Sequence, residues 1–267
     1  MSETTNISVP TAAELSAKGE IPDILFWVGC AGSFDDRYKK VTKAFIKILH
    51  KINIKYAVLG SEETCTGDPA RRAGNEFLFQ MQALANIQVL DGYGIKKIVT
   101  ACPHCFNILK NEYPDLGGNY EVIHHSTFLQ SLINDGKIKI ADGKSFQGKK
   151  ITFHDSCYLG RANDIYEAPR DVLKALDSEL VEMSRHKSTG LCCGAGGAQM
   201  FKEAEPGNKE INVERTDEAI STGANIIASA CPFCLTMLTD GIKIKEKEDQ
   251  VEVKDIAELI AEAEDII

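Results

Sequence analysis

Short, uniformly apolar runs recur along the chain, with longer amphipathic stretches between them. Ile24-Leu25-Phe26-Trp27-Val28, Lys97-Ile98-Val99-Thr100-Ala101, Ile151-Thr152-Phe153 and Asn225-Ile226-Ile227-Ala228-Ser229-Ala230 show no polar alternation. Runs of this kind predict strands buried in a largely parallel sheet. Val41, Ala44, Phe45, Ile48 and Leu49 keep helical spacing instead. Late in each half, a strand pattern leads into a helical one. Glu121-Val122-Ile123-His124 precedes Phe128-Leu129, and Val251-Glu252-Val253 precedes Ile256, Leu259 and Ile260. Strands alternating with helices predict an α/β fold of two tandem pseudo-symmetric, doubly wound units.

The pattern repeats because the chain is duplicated. A shift of 127 residues carries Cys30 onto Cys157, Cys65 onto Cys192 and Gly67 onto Gly194. A slip of two more brings Cys102-Pro103-His104-Cys105 onto Cys231-Pro232-Phe233-Cys234. A period this long marks a duplicated unit rather than a solenoid repeat. The expected division is a flexible leader over 1–20, a first unit over 21–147 and a second over 148–267. The boundary is placed in Ala141-Asp142-Gly143-Lys144-Ser145, and Lys243 to Glu248 reads as a charged surface turn. In doubly wound sheets, ligands gather at the carboxyl ends of the strands. Each cysteine segment starts where a predicted strand stops, so the thiols of each half are expected to line one site at that edge.

Composition narrows the function. A net charge of −9 argues against nucleic acid, which needs a basic footprint, and against adsorption to an anionic membrane. No apolar run approaches the ~20 residues of a spanning helix, and Met1 to Glu20 lacks the apolar core of a secretory signal. The expectation is a cytoplasmic protein with no direct membrane span, peripheral on a membrane through a partner if it works there. Nine cysteines in such a chain point to metal or redox chemistry rather than structural disulfides.

A lone cysteine is usually a small buried hydrophobe. Two Cys-Pro-x-Cys turns, each preceded by further cysteines at matching offsets, argue for metal ligation instead, since soft thiolates suit iron–sulfur clusters and zinc. A thioredoxin-like dithiol would not need the distant cysteines. The first half offers four thiols, Cys30, Cys65, Cys102 and Cys105, enough for a tetrahedral zinc. The second offers five, Cys157, Cys192, Cys193, Cys231 and Cys234, one too many for structural zinc. Gly194-Ala195-Gly196-Gly197 lets the backbone there bend around something bulky. That run lacks the G-x-G-x-x-G order of a dinucleotide site.

Cys157, then Cys192-Cys193-Gly194, then Cys231-x-x-Cys234 resembles the cysteine-rich CCG domain of the heterodisulfide reductase B-subunit family, over about residues 25 to 260. Glu63-Thr64-Cys65-Thr66-Gly67-Asp68-Pro69-Ala70-Arg71-Arg72 and His154-Asp155-Ser156-Cys157-Tyr158-Leu159-Gly160-Arg161 resemble the quinone-reductase-associated branch. The resemblance implies a [4Fe-4S] cluster on the five second-half cysteines, non-cubane in the best-described members. The first half departs, with Thr66 where Cys193 stands, leaving an ordinary [4Fe-4S] cluster or zinc. It implies an electron-transfer subunit rather than an independent active site. The partners implied are a ferredoxin-like or membrane quinone-reducing subunit, and electron-transfer flavoprotein or a dehydrogenase, on separate chains. The alternatives are a catalytic disulfide reductase subunit and a zinc-stabilised scaffold.

Outside the cysteines, His154-Asp155 reads either as a capped strand end or as donors to cluster sulfur. His124-His125 reads as structural or interfacial. Arg71, Arg72 and Arg161 either offset cluster charge or pair with Asp68, Asp164 or Glu76.

Overall fold

The computed structural model describes residues 7–140, 146–203 and 206–264. In the first half, β1 (Ile24–Trp27), β2 (Tyr56–Ala57), β3 (Lys97–Thr100) and β4 (Glu121–His124) form a parallel sheet of order β2-β1-β3-β4. In the second, β5 (Lys150–Phe153), β6 (Glu179–Leu180), β7 (Ile226–Ser229) and β8 (Glu252–Asp255) repeat it as β6-β5-β7-β8. The register repeats too: Phe26 faces Val99 and Thr152 faces Ile227. Four of the six longer strands match the apolar runs, and β4 and β8 match the strand patterns at 121–124 and 251–253. The edge strands β2 and β6 hold two residues each, too few to leave a pattern. The expected boundary at 141–145 lies outside the described residues.

The order in which strands are added reverses between the two central strands of each sheet, opening a crevice at their carboxyl ends. Cys30 follows β1, Cys65 follows β2, and Cys102 and Cys105 follow β3; the second half repeats this after β5, β6 and β7. The expected placement of the thiols is what the topology produces.

Four helices form a layer between the two sheets. Tyr38–Lys51 packs against Ile256–Ala263, and His125–Asn134 packs against Glu167–Lys174. Each contact joins one half to the other, so the pairing is pseudo-two-fold. Phe26, Phe45, Phe128, Phe153, Leu173 and Ile260 belong to one core that both halves build. On the outer faces, Glu76–Gly92 covers Leu25 and Trp27, while Ile211–Ser221 and Pro232–Ile244 cover Ile227.

The described part of the expected leader is built into the first half. Val58 N–H donates to Pro10 O at 3.0 Å and Ala12 N–H to Val58 O at 2.8 Å, extending the sheet edge. Thr11 and Glu14 then form a capping box on the helix Ala12–Ala17, which buries Leu15. Polar composition hid this short element.

Helix Pro232–Ile244 approaches Ile211–Ser221 closely at Gly241, where a methyl group would run into Thr216 Oγ1 and lie 3.2 Å from the Asn212 carbonyl. Gly241→Ala is expected to destabilise the protein by about 1–3 kcal/mol, and adding Thr216→Ala should return part of that loss. Chemical denaturation of the three variants measures both effects; an Ala variant as stable as the parent would rule out the close approach.

Candidate metal centres

Both Cys-Pro-x-Cys turns are built alike. Cys102 and Cys231 are the N-cap residues of helices that start with Pro103 and Pro232. Proline is favoured there, because its φ suits the first helical turn and its missing N–H is not needed. The second cysteine of each turn then points back toward the first. Opposite them, Gly67 and Gly194 take the left-handed conformation, at φ of 91° and 92°. A Cβ at Gly67 would also collide with Phe79. This bend aims backbone N–H groups at sulfur: Gly67 N lies 3.5 Å from Cys65 Sγ, and Gly194 N 3.3 Å from Cys192 Sγ.

In the second half the five thiols touch in series. Cys157 meets Cys192, Cys192 meets Cys193, Cys193 meets Cys234 at 3.3 Å, and Cys234 meets Cys231. In the first half Cys30 meets Cys65 and Cys102 meets Cys105, around a pocket lined by all four. Thr66, buried, turns its Oγ1 to Cys105 Sγ at 3.9 Å, the place where the second half has a sulfur. All nine cysteines are free thiols.

These thiols cannot all ionise by themselves. A hydrogen bond from Cys30 draws the Cys65 thiol down to about 6, while Cys30 itself is pushed up. Cys192 is pulled far down by bonds from Cys157 and Cys193, both of which rise. Burial raises Cys231, yet bonds from Cys234 and His104 outweigh it and bring it to about 5. Thiols this close share their protons unevenly, and a cation among them would favour their ionised forms. That donor set fits a thiolate-bound metal centre.

The two sites adjoin across the pseudo-two-fold. Pro232 and Phe233, from the second Cys-Pro-x-Cys, line the first pocket. His104, from the first, reaches Cys231 of the second, stacks on Tyr158 at 4.4 Å and meets Phe233 at 4.8 Å. Asp68 Oδ2 sits 2.9 Å from His104 Nδ1. Burial works against its charge, but Asp68 and Cys231 hold His104 up at about 10.

The residues around the thiols sort differently from expectation. Asp155 is structural, gripped by Arg170 at 2.8 and 2.9 Å, with Glu182 on the other side of the guanidinium. His154 faces the thiols instead: a ring nitrogen and the Cys193 and Cys234 sulfurs lie within 4.8 Å of one another. Burial, then the charge of Arg215, hold it down at about 3. Arg71 and Arg72 pair with Glu112, and also with Glu76 and Asp68 as anticipated, whereas Arg161 donates to the Gly190 carbonyl. His124 and His125 sit between the halves, with His125 bonded to Asp255.

Three contributors escaped the sequence reading. Glu63 accepts from Val28 N and Gly29 N at 3.0 and 2.5 Å and so fixes the turn carrying Cys30; burial lifts its carboxyl to about 7. Asn86 holds the Cys65 carbonyl at 3.0 Å, and fully buried Arg215 stands behind His154. Each is a polar residue inside a loop or helix, without a spacing that betrays its partner.

A duplicated, parallel-sheet scaffold that presents two adjoining thiol-lined sites defines a cysteine-rich metal-centre class of protein. The chain belongs to the cysteine-rich CCG domain family, whose pattern matches residues 24–110 and 151–239. It is 47% identical over 262 residues to a probable iron-sulfur-binding oxidoreductase, FadF, of Bacillus subtilis (strain 168), covering 98% of this chain and 37% of that protein. It is 44% identical to an EtfAB:quinone oxidoreductase of Syntrophomonas wolfei, covering 93% of this chain and 35% of that one. A dihydromethanophenazine:CoB--CoM heterodisulfide reductase subunit from Methanosarcina barkeri is 38% identical, with 90% of this chain and 59% of that one covered. The chain spans little more than a third of the length of the first two.

Proposed function

We propose that this chain is the iron–sulfur relay part of a respiratory-type oxidoreductase, passing electrons between a flavin- or ferredoxin-bearing partner and a quinone-linked membrane partner. The observation that carries this is the pair of adjoining thiol sites, each reaching into the other through its Cys-Pro-x-Cys turn. Cys157, Cys192, Cys193, Cys231 and Cys234 would hold a [4Fe-4S] cluster, and Cys30, Cys65, Cys102 and Cys105 a second cluster or zinc. Clusters there would take up and release single electrons, and the protein's part is to fix their spacing and shield them from solvent. The names of the relatives support a redox role of this kind. Among the described residues no helix is long and apolar enough to cross a membrane; attachment through the quinone-linked partner is part of this reading. Thr66 weighs against heterodisulfide cleavage, since the first site has four sulfurs rather than five.

Anaerobic purification with iron, zinc and sulfide analysis and EPR tests the metal assignment. A pull-down from solubilised membranes tests the relay. Protein recovered alone, with both sites loaded and reducing quinone or a disulfide unaided at a physiological rate, would refute it. Variants retaining one site each should give different spectra. Cys193→Thr should go further and give the second site the signature of a four-sulfur centre; an unchanged spectrum would remove Cys193 from the ligand set.

A further inference from the structure

The duplication places a ring nitrogen at the carboxyl end of the leading strand in both repeats. Trp27 ends β1, and His154 follows β5 at the equivalent position. Both side chains are fully buried, and among the described residues Trp27 Nε1 and His154 Nε2 have no hydrogen-bond partner. Buried donors are almost always satisfied, and His154 lies beside the Cys193 and Cys234 sulfurs, so its orphan points to an acceptor in that site.

In the second repeat the surroundings fix which nitrogen carries the proton. Arg215 Nε donates to His154 Nδ1 at 3.0 Å. A guanidinium has no acceptor, so Nδ1 must offer its lone pair and Nε2 must bear the hydrogen. Arg215 cannot turn away, because its Nη1 donates to the Arg185 carbonyl at 2.8 Å and to Glu218 at 2.9 Å. With Nδ1 occupied, Nε2 is the ring nitrogen left for the sulfurs of Cys193 and Cys234, which share a 4.8 Å neighbourhood with His154.

We propose that Arg215 positions His154 as a neutral Nε2–H donor to the sulfurs of the second site, and that this bond raises the reduction potential there. An added electron makes the sulfurs better acceptors, so a donor stabilises the reduced state more than the oxidised one. The proposal rests on the iron–sulfur reading of that site.

The test uses the full chain purified anaerobically with its iron, followed by EPR-monitored redox titration. His154→Leu should lower the reduction equilibrium constant of the second site by roughly tenfold, about 59 mV for one electron. His154→Gln, whose amide N–H reaches a similar point, should recover most of the shift. An unchanged potential in the leucine variant with iron retained would overturn the proposal. Should that variant lose its iron, ¹⁵N-histidine labelling of the unaltered protein and of the His154→Gln variant decides, because His104 also reaches Cys231. A weak nitrogen coupling with an exchangeable proton, present in the unaltered protein and lost in the glutamine variant, supports the bond, while identical couplings in both, or one strong enough for direct ligation, overturn it. Unaltered protein without iron would instead refute the cluster reading itself.

Discussion

Cys231→Ser is expected to strip iron from the second site and leave the first site loaded. Cys231 is almost wholly buried at the N-cap of helix Pro232–Ile244 and touches both Cys234 and His104. The helix start fixes its position, and its burial leaves little room for a replacement ligand. A serine oxygen is harder and reaches less far than a thiolate, so it is a poor substitute for soft ligation. Binding of a thiolate-held metal can contribute on the order of 10–16 kcal/mol, as zinc-finger peptides show, so the second half should also lose most of its ligand-derived stability. Metal analysis and EPR on Cys231→Ser and Cys30→Ser, side by side, give the check. Full iron in the Cys231 variant would exclude it as a ligand. Symmetrical loss from both sites in both variants would mean that the two sites load as one unit.

The fold was legible because duplication printed it twice. The central strands are apolar runs and the helix Tyr38–Lys51 keeps its spacing, so Val41, Phe45 and Leu49 could be assigned from sequence to the buried face they occupy. The thiol clusters were legible for the same reason, since a parallel sheet brings the segments after its strands to one edge. What stayed hidden depends on three-dimensional partners. His104 reads as the variable residue of a Cys-Pro-x-Cys, yet its ring lies against Phe233 and Tyr158 of the other repeat. Arg215 carries no spacing that marks it, yet it is fully buried, with His154, the Arg185 carbonyl and Glu218 accepting from its Nε and Nη1. Trp27 reads as a core aromatic, which it also is. Nothing local separates such residues from ordinary ones; only the fold of the opposite segment does.

Asp255→Ala is expected to cost about 2–4 kcal/mol, about 1–3 for orphaning a buried donor and about 1 for losing a helix N-cap, out of a total stability of about 5–15 kcal/mol for a folded protein. Asp255 stands fully buried on the pseudo-two-fold, where the two halves share their core. One oxygen accepts from His125 Nε2 at 2.9 Å and from Ala257 N at 2.9 Å; the other lies 3.4 Å from the Tyr38 hydroxyl. The donors are set by a relay. Ser126 N–H points at His124 Nδ1, which leaves the His124 Nε2 proton to face His125 Nδ1 at 3.3 Å, and so gives His125 an Nε2 proton for the carboxylate. Burial first, then the neighbouring His125, holds His124 far below the usual imidazole range, keeping it neutral as the relay requires. Alanine would orphan the His125 donor and remove the N-cap of helix Ile256–Ala263, the latter alone worth about 1 kcal/mol. Asp255→Asn keeps an acceptor oxygen and should lose clearly less. Because His125 and Tyr38 belong to one half and Asp255 to the other, the loss should lower a single shared unfolding transition rather than split off one half. Denaturant unfolding followed by the Trp27 fluorescence of the first half and by far-UV circular dichroism of the whole chain measures this. Two separate transitions in the unaltered protein, or a loss under about 1 kcal/mol in Asp255→Ala, would show that the repeats stand without each other.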